Sequence, residues 1–253
     1  MKITQIVFSP TGRTERVADT ITARWGAPVR KIDLTDPAVD FAAEALDAEA
    51  LTLIAVPSYG GRVPAPAAER IAKLRGNQAR CVVLTVYGNR AYEDTLLELS
   101  DLAAGSGFRV IAAAAAVAEH SILHQYAAGR PDPRDEEQLR GFAGRILEKL
   151  RSGAEDAPAI PGNRPYRKAG GAGLVPKATK ACTGCGLCAE KCPTGAISKQ
   201  DPKKTDGKAC ISCMRCVSLC PHGARKASGL MTSIAGMAIK KACAERKSNE
   251  LFL

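Results

Sequence analysis

The 253 residues are poor in aromatics: one Trp, five Tyr and five Phe make up 4% of the chain. Few ring faces are offered for base stacking and no recognition motif accompanies them, so nucleic acid is not an expected partner. Long apolar runs are missing too. The longest uncharged stretches, Val110 to Ala118 and Ala227 to Ile239, fall short of the roughly 18 residues a membrane span needs, and no membrane insertion is expected. Met1 to Phe8 reads as a strand entering a polar loop rather than as a secretory signal, which leads us to expect the cytoplasm and reduced thiols. No G-x-G-x-x-G follows a strand, and no acid-base pair stands out, so the sequence offers no signal for direct NAD(P)H use or for proton-transfer catalysis.

What the chain does have is cysteine. Eight of its ten cysteines form two runs, Cys182, Cys185, Cys188, Cys192 and Cys210, Cys213, Cys216, Cys220, each followed by proline, Pro193 and Pro221. This is C-x2-C-x2-C-x3-C-P written twice. Three thiolates on one tight loop can converge on three irons of a cubane, and the fourth must come from elsewhere. In the bacterial two-cluster pattern the fourth cysteine of each run serves the other cluster. Cys182, Cys185, Cys188 and Cys220 then hold one [4Fe-4S] cluster, and Cys210, Cys213, Cys216 and Cys192 hold the second. Structural zinc also takes four thiolates, but usually from two separated C-x2-C pairs without a third cysteine two residues on. The remaining Cys81 and Cys243 lack ligand spacing and read as core residues.

The net charge of +10 is unevenly placed. From Asn163 onward there are 17 basic and 5 acidic residues, against 19 and 21 before it. Each oxidised cluster with its four thiolates carries about −2, which removes about a third of the excess. The basic face that remains, with Lys203, Lys204, Lys208, Lys240, Lys241, Arg246 and Lys247, suits partners with an acidic docking face, most simply other redox proteins or flavoenzymes.

Along the first 151 residues, short Ile/Val/Leu-rich runs recur at Ile3 to Phe8, Val29 to Leu34, Leu51 to Val56, Cys81 to Val86 and Arg109 to Val117. Segments of helical character lie at Glu15 to Trp25, Phe41 to Leu46, Ala65 to Leu74, Tyr92 to Ala104 and Asp135 to Arg151. The alternation predicts an α/β domain, a doubly wound parallel sheet whose ligand sits beyond the carboxyl ends of its strands. Residues 152–180 are rich in Gly, Pro and Ala and read as a partly extended linker; Gly170-Gly171-Ala172-Gly173 has no strand before it and is not a phosphate loop. A small two-cluster domain of about residues 181–229 follows. Residues 230–253 read as a helical tail, with Met231, Ile234, Met237, Ala238 and Ile239 docking on the rest of the protein.

The loop after the first strand, Ser9-Pro10-Thr11-Gly12-Arg13-Thr14, offers hydroxyls and backbone N–H groups at a helix start, the means of binding a phosphate. It resembles the [ST]-x-T-G-x-T phosphate loop of the flavodoxin family at every specified position. The resemblance implies a five-stranded sheet of order 2-1-3-4-5 and an FMN cofactor. It also implies that Pro57-Ser58-Tyr59-Gly60-Gly61 and Tyr87-Gly88-Asn89-Arg90 flank the isoalloxazine ring. Tyr59 and Tyr87 are then the stacking candidates, with Tyr92 a further one, and Arg90 faces the O2/N1 side. His120, after the fifth strand, reads as a residue that caps loop hydrogen bonds, with flavin contact or proton relay as the alternative. Over its full length the chain resembles flavodoxin-ferredoxin fusion proteins, a small α+β ferredoxin-like two-cluster domain following the flavin domain. That resemblance implies an electron carrier joining one-electron and two-electron partners. The alternative is a flavoenzyme reducing a quinone, disulfide or other small acceptor with electrons delivered through its clusters.

Overall fold

The computed structural model describes residues 1–170 and 173–253, so Gly171 and Ala172 of the linker lie outside the described residues. Five parallel strands, β1 (Lys2–Val7), β2 (Val29–Asp33), β3 (Ala50–Pro57), β4 (Arg80–Tyr87) and β5 (Arg109–Val117), are hydrogen-bonded in the order β2-β1-β3-β4-β5. This is the flavodoxin-like doubly wound order, and the chain reverses direction across the sheet between β1 and β3. β3, β4 and β5 are buried almost throughout, as strands covered on both faces must be. Their side chains alternate between two cores. Val83, Ala113, Ala115 and Val117 meet helices α2 (Ala65–Ile71) and α3 (Thr95–Gly105), whereas Val82, Leu84, Ala112, Ala114 and Ala116 meet α1 (Arg13–Ala23) and α4 (Pro133–Arg151).

Three elements differ from the sequence expectation. Phe41 to Leu46 is not a helix: Asp36, Asp40 and Asp47 each accept the amide two residues on, so Asx turns take the backbone donors a helix would need. The expected helical tail is helical only as α7 (Gly229–Ile239), after which the chain ends in a strand, β8 (Glu250–Phe252). β8 pairs antiparallel with β5, Ala113 opposite Phe252, and makes the sheet six-stranded. Nor does the apolar side of α7 dock as expected. Leu230 and Met237 are 73% and 68% exposed, and Gly236 is the one buried residue of the helix, lying beneath the 121–126 loop where Tyr126 donates to its carbonyl.

The cysteine-rich part is a small pseudo-repeat. It has a two-stranded ribbon of β6 (Lys177–Ala178) and β7 (Arg225–Lys226) and two single-turn helices, α5 (Leu187–Glu190) and α6 (Arg215–Ser218). Each cysteine run bends through left-handed backbone at the same two places, Gly184 and Gly186 in the first and Ser212 and Met214 in the second. Glycine adopts that conformation freely, but Ser212 and Met214 hold it against a steric penalty, as residues at constrained sites do.

The linker is strapped rather than loose. Asp94, at the start of α3, accepts the amide of Asn163 at 2.9 Å and that of Arg167 at 2.7 Å. Arg164 forms a two-pronged ion pair with Asp101, and Arg62 lies 5.0 Å over the Tyr166 ring while donating to the Arg167 carbonyl. Gly60 and Gly61 make room for this path: a Cβ on Gly60 would stand 2.3 Å from the Gly170 carbonyl oxygen.

Candidate flavin cavity and cluster centres

The loops after β1, β3, β4 and β5 surround a cavity of about 590 Å³, within the range of cofactor sites. One end of it is the start of α1, where the sequence predicts a phosphate. Gly12 caps that helix in a left-handed conformation with no side-chain bond, and Ser9 Oγ accepts the amide of Glu15. First-turn amides have no partner within a helix, which leaves those ahead of Glu15 free for an anion. Arg13 is already paired with Glu119. The Gly129 amide, then His124 and Arg13, hold the Glu119 carboxyl down at about 2, so the pair is ionised.

Of the residues singled out from sequence, Thr11, Arg13, Thr14, Pro57, Ser58, Tyr59, Gly60, Tyr87 and Gly88 line the cavity. Tyr87 is nearly buried and is propped edge-on by Tyr92 at 5.3 Å, so Tyr92 supports a wall rather than forming one. Asn89 and Arg90 do not face the cavity. Asn89 is buried and donates to the carbonyls of Cys243 and Glu245 while accepting the Lys247 amide. Arg90 pairs with Glu93, and its carbonyl accepts from Lys247. Both clamp the returning C-terminal segment, which lies 154 or more residues away and gives no local signal. Gly61 likewise lies against Glu93 and Arg167 outside the cavity.

His120 caps its loop, as expected, and stands at the cavity wall. Its Nδ1 accepts the amides of Ile122 and Leu123, which puts the ring proton on Nε2, and the residue also lines the cavity. Burial pushes its pKa down to about 4, so it is neutral near pH 7. The sequence reading missed the far wall: Ala169 and Gly170 of the linker, and Cys210, Ile211 and Ser212 from the second cysteine run. Ser212, the last of these, holds the left-handed backbone of that loop.

The two cysteine sets gather separately. Cys182, Cys185, Cys188 and Cys220 line one small cavity with Pro202, His222 and Arg225. Cys192, Cys210, Cys213 and Cys216 line another with Ile197, Thr205 and Met214. Each cavity therefore takes its fourth cysteine from the other run. The thiols stand around a space rather than converging: among the described residues no three His, Cys, Asp or Glu groups meet at a spacing for a single metal ion. Four thiols around a space fit a four-iron body, whose corners need one thiolate each. Cys220 Sγ already accepts the Ala224 amide at 3.2 Å.

Residues 181–224 match the family described as the 4Fe-4S dicluster domain. A sheet of flavodoxin-like strand order is thus followed in this chain by a 4Fe-4S dicluster domain. No curated protein matches the fusion chain. Among solved structures, a flavodoxin from the domain Archaea is similar at 14% identity over 60% of this chain and 99% of its own, with a TM-score of 0.44. The Streptococcus pneumoniae flavodoxin is similar at 22% identity over 58% and 99%, TM-score 0.40. Rubredoxin oxygen:oxidoreductase from Desulfovibrio gigas is similar at 16% identity over 60% of this chain, TM-score 0.44, and the fusion chain spans only 36% of its length. The sheet order, rather than these likenesses, carries the fold assignment.

The halves of the fusion are pinned together by arginines. Arg70 of α2 donates to the carbonyls of Leu34 and Pro193, the latter at 2.6 Å. Arg215 of α6 donates to the Lys191 carbonyl and sits 3.9 Å from Asp33 at the end of β2. Ile211 packs on the core of the sheet domain.

Proposed function

We propose that this chain is an electron-transfer protein that passes electrons between two [4Fe-4S] clusters and an FMN, linking one-electron and two-electron redox partners. The observation that carries this reading is the shared wall: Cys210, Ile211 and Ser212 belong at once to a cluster loop and to the cavity of the flavin loops. When bound, each cluster stores a single electron and the flavin exchanges one or two. The chain's own part is positional. Thr11 and the start of α1 receive the phosphate; Tyr59 and Tyr87 bound the ring; Ile211 and Ser212 exclude water between the ring and the second cysteine set.

Exposure orders the path. Cys185 is exposed and Cys213 is buried, and Arg70 and Arg215 hold the Cys192/Cys210/Cys213/Cys216 side against the sheet domain. The Cys182/Cys185/Cys188/Cys220 side is the outer terminal, where a redox protein or flavoenzyme with an acidic face meets the surrounding lysines. A reducing compartment such as the cytoplasm would keep the eight thiols available to the clusters.

Anaerobic purification of the full chain should give about eight irons and one FMN per polypeptide, with spectra of two interacting cubanes. Stoichiometric zinc, or a chain that binds no flavin, sinks the reading. Saturable, multiple-turnover reduction of a quinone or disulfide by the chemically reduced protein would favour the enzyme alternative, since a carrier exchanges its electrons with protein partners.

A further inference from the structure

Among the described residues two arginines are almost completely buried, and they are satisfied in different ways. Arg130, 5% exposed, meets the Asp135 carboxylate with two hydrogen bonds, at 2.8 and 2.6 Å, so its charge is neutralised on the spot. Arg225, 2% exposed, has no such partner. Its guanidinium donates to the Pro176 carbonyl at 3.1 Å, to Thr205 Oγ1 at 2.7 Å and to the Pro202 carbonyl, all neutral oxygens. Its Nε has no acceptor, and among the described residues it forms no ion pair with a carboxylate. An arginine cannot shed its proton to escape this, so a buried charge stands uncompensated by protein.

Its place says what the charge faces. Arg225 and Pro202 line the cavity of Cys182, Cys185, Cys188 and Cys220, while Pro176 and Thr205, two of its anchors, line the cavity of Cys192, Cys210, Cys213 and Cys216. The guanidinium is therefore held between the two cysteine sets, with its chain leaving from β7. Both sets are net negative once they carry clusters.

We infer that Arg225 is the internal counter-charge of the cluster pair, a positioning residue that sets the reduction potential of the clusters rather than a ligand or a fold filler. This rests on the two-cluster reading proposed above. A fixed cation beside a cluster stabilises the more negative, reduced form and raises its midpoint; it also screens one cluster's charge from the other, so that filling the first hinders the second less. The three neutral acceptors hold the guanidinium in place without cancelling it.

The test is an anaerobic redox titration of the full chain, read by the spectra of both clusters, for wild type, Arg225→Gln and Arg225→Lys. Wild type that lacks two clusters refutes the functional reading itself and is scored first. With the clusters in place, Arg225→Gln should lower at least one midpoint by a tenfold change in the oxidised-to-reduced ratio, 59 mV for one electron. Arg225→Lys, which keeps the charge and gives up the forked hydrogen bonds, should stay nearer wild type. Unchanged midpoints in Arg225→Gln overturn the inference, as does an equal fall in both variants. If Arg225→Gln fails to retain iron while Arg225→Lys retains it, the need for the charge is supported. Iron loss in both makes Arg225 a packing residue and overturns it.

Discussion

Asp94 is the residue on which the linker's path depends, and Asp94→Ala tests whether the two domains are held or merely tethered. The side chain is 1% exposed and its carboxylate accepts three hydrogen bonds, from the Asn163 amide at 2.9 Å, Asn163 Nδ2 at 3.1 Å and the Arg167 amide at 2.7 Å. A hydrogen bond to a charged group contributes about 1.5–3 kcal/mol, so the set holds the docked linker by roughly 4 kcal/mol or more. That loss has an upper limit, because the linker can leave α3 and give its amides to water. The expected outcome is local: the sheet domain stays folded, while trypsin cuts at Arg167 and Lys168 and the amides of Asn163 and Arg167 exchange at least a hundredfold faster. Asp94→Asn, which keeps the shape and loses the charge, should fall between. Acid should imitate the substitution. The Arg167 amide, with help from Asn163, keeps the Asp94 carboxyl below its ordinary 3.8, so its contribution is intact above that pH and lost as pH falls through the lower folded value. Unchanged cleavage and exchange in Asp94→Ala would refute the strap, leaving Arg62, Arg164 and Tyr166 as sufficient anchors.

Cys192→Ser should disturb the cluster of the Cys210 run rather than that of its own, read as loss of one cluster's spectrum while the Cys182 set keeps four irons; loss of the other cluster refutes the crossed assignment. Removing residues 250–253 takes away β8 together with Leu253; Leu251 and Leu253 pack on one core and Phe252 on the other, and the loss should cost about 3 kcal/mol in denaturant unfolding. Stability of the flavin-free protein should fall as pH drops from 6.5 towards 4, because unfolded His120 takes up a proton there while the folded residue, at about 4, does not. The full effect is about 3 kcal/mol and should be absent in His120→Gln.

The central strands were legible because a strand buried on both faces writes its apolar run into the sequence, and the cysteines because iron-sulfur ligation fixes their spacing. Thr11, Tyr59, Tyr87 and Gly88 were legible for a related reason: a parallel sheet sends its loops to one edge, so locating the strands locates the site. What stayed hidden depends on pairing at a distance. β8 is three residues with no period of its own, and it becomes a strand because β5 presents an open edge. Asn89 and Arg90 stand beside two cavity residues yet turn to a tail that only the folded chain brings near. Local chemistry also misled once, at Phe41 to Leu46, where aspartates spaced for Asx turns outweighed a weak helical pattern. The shared wall at Ile211 and Ser212 was invisible because nothing in one cysteine run distinguishes the face that meets another domain.

The position of β8 also orders events in time. A ribosome releases β1 to β5 first, then the linker and both cysteine runs, and only after them the strand that covers β5. Domains fold as they emerge, so the nascent sheet waits with one edge open while the cysteine-rich insert is made and loaded. Until β8 docks, the β5 edge of the sheet stays open to pairing with another chain.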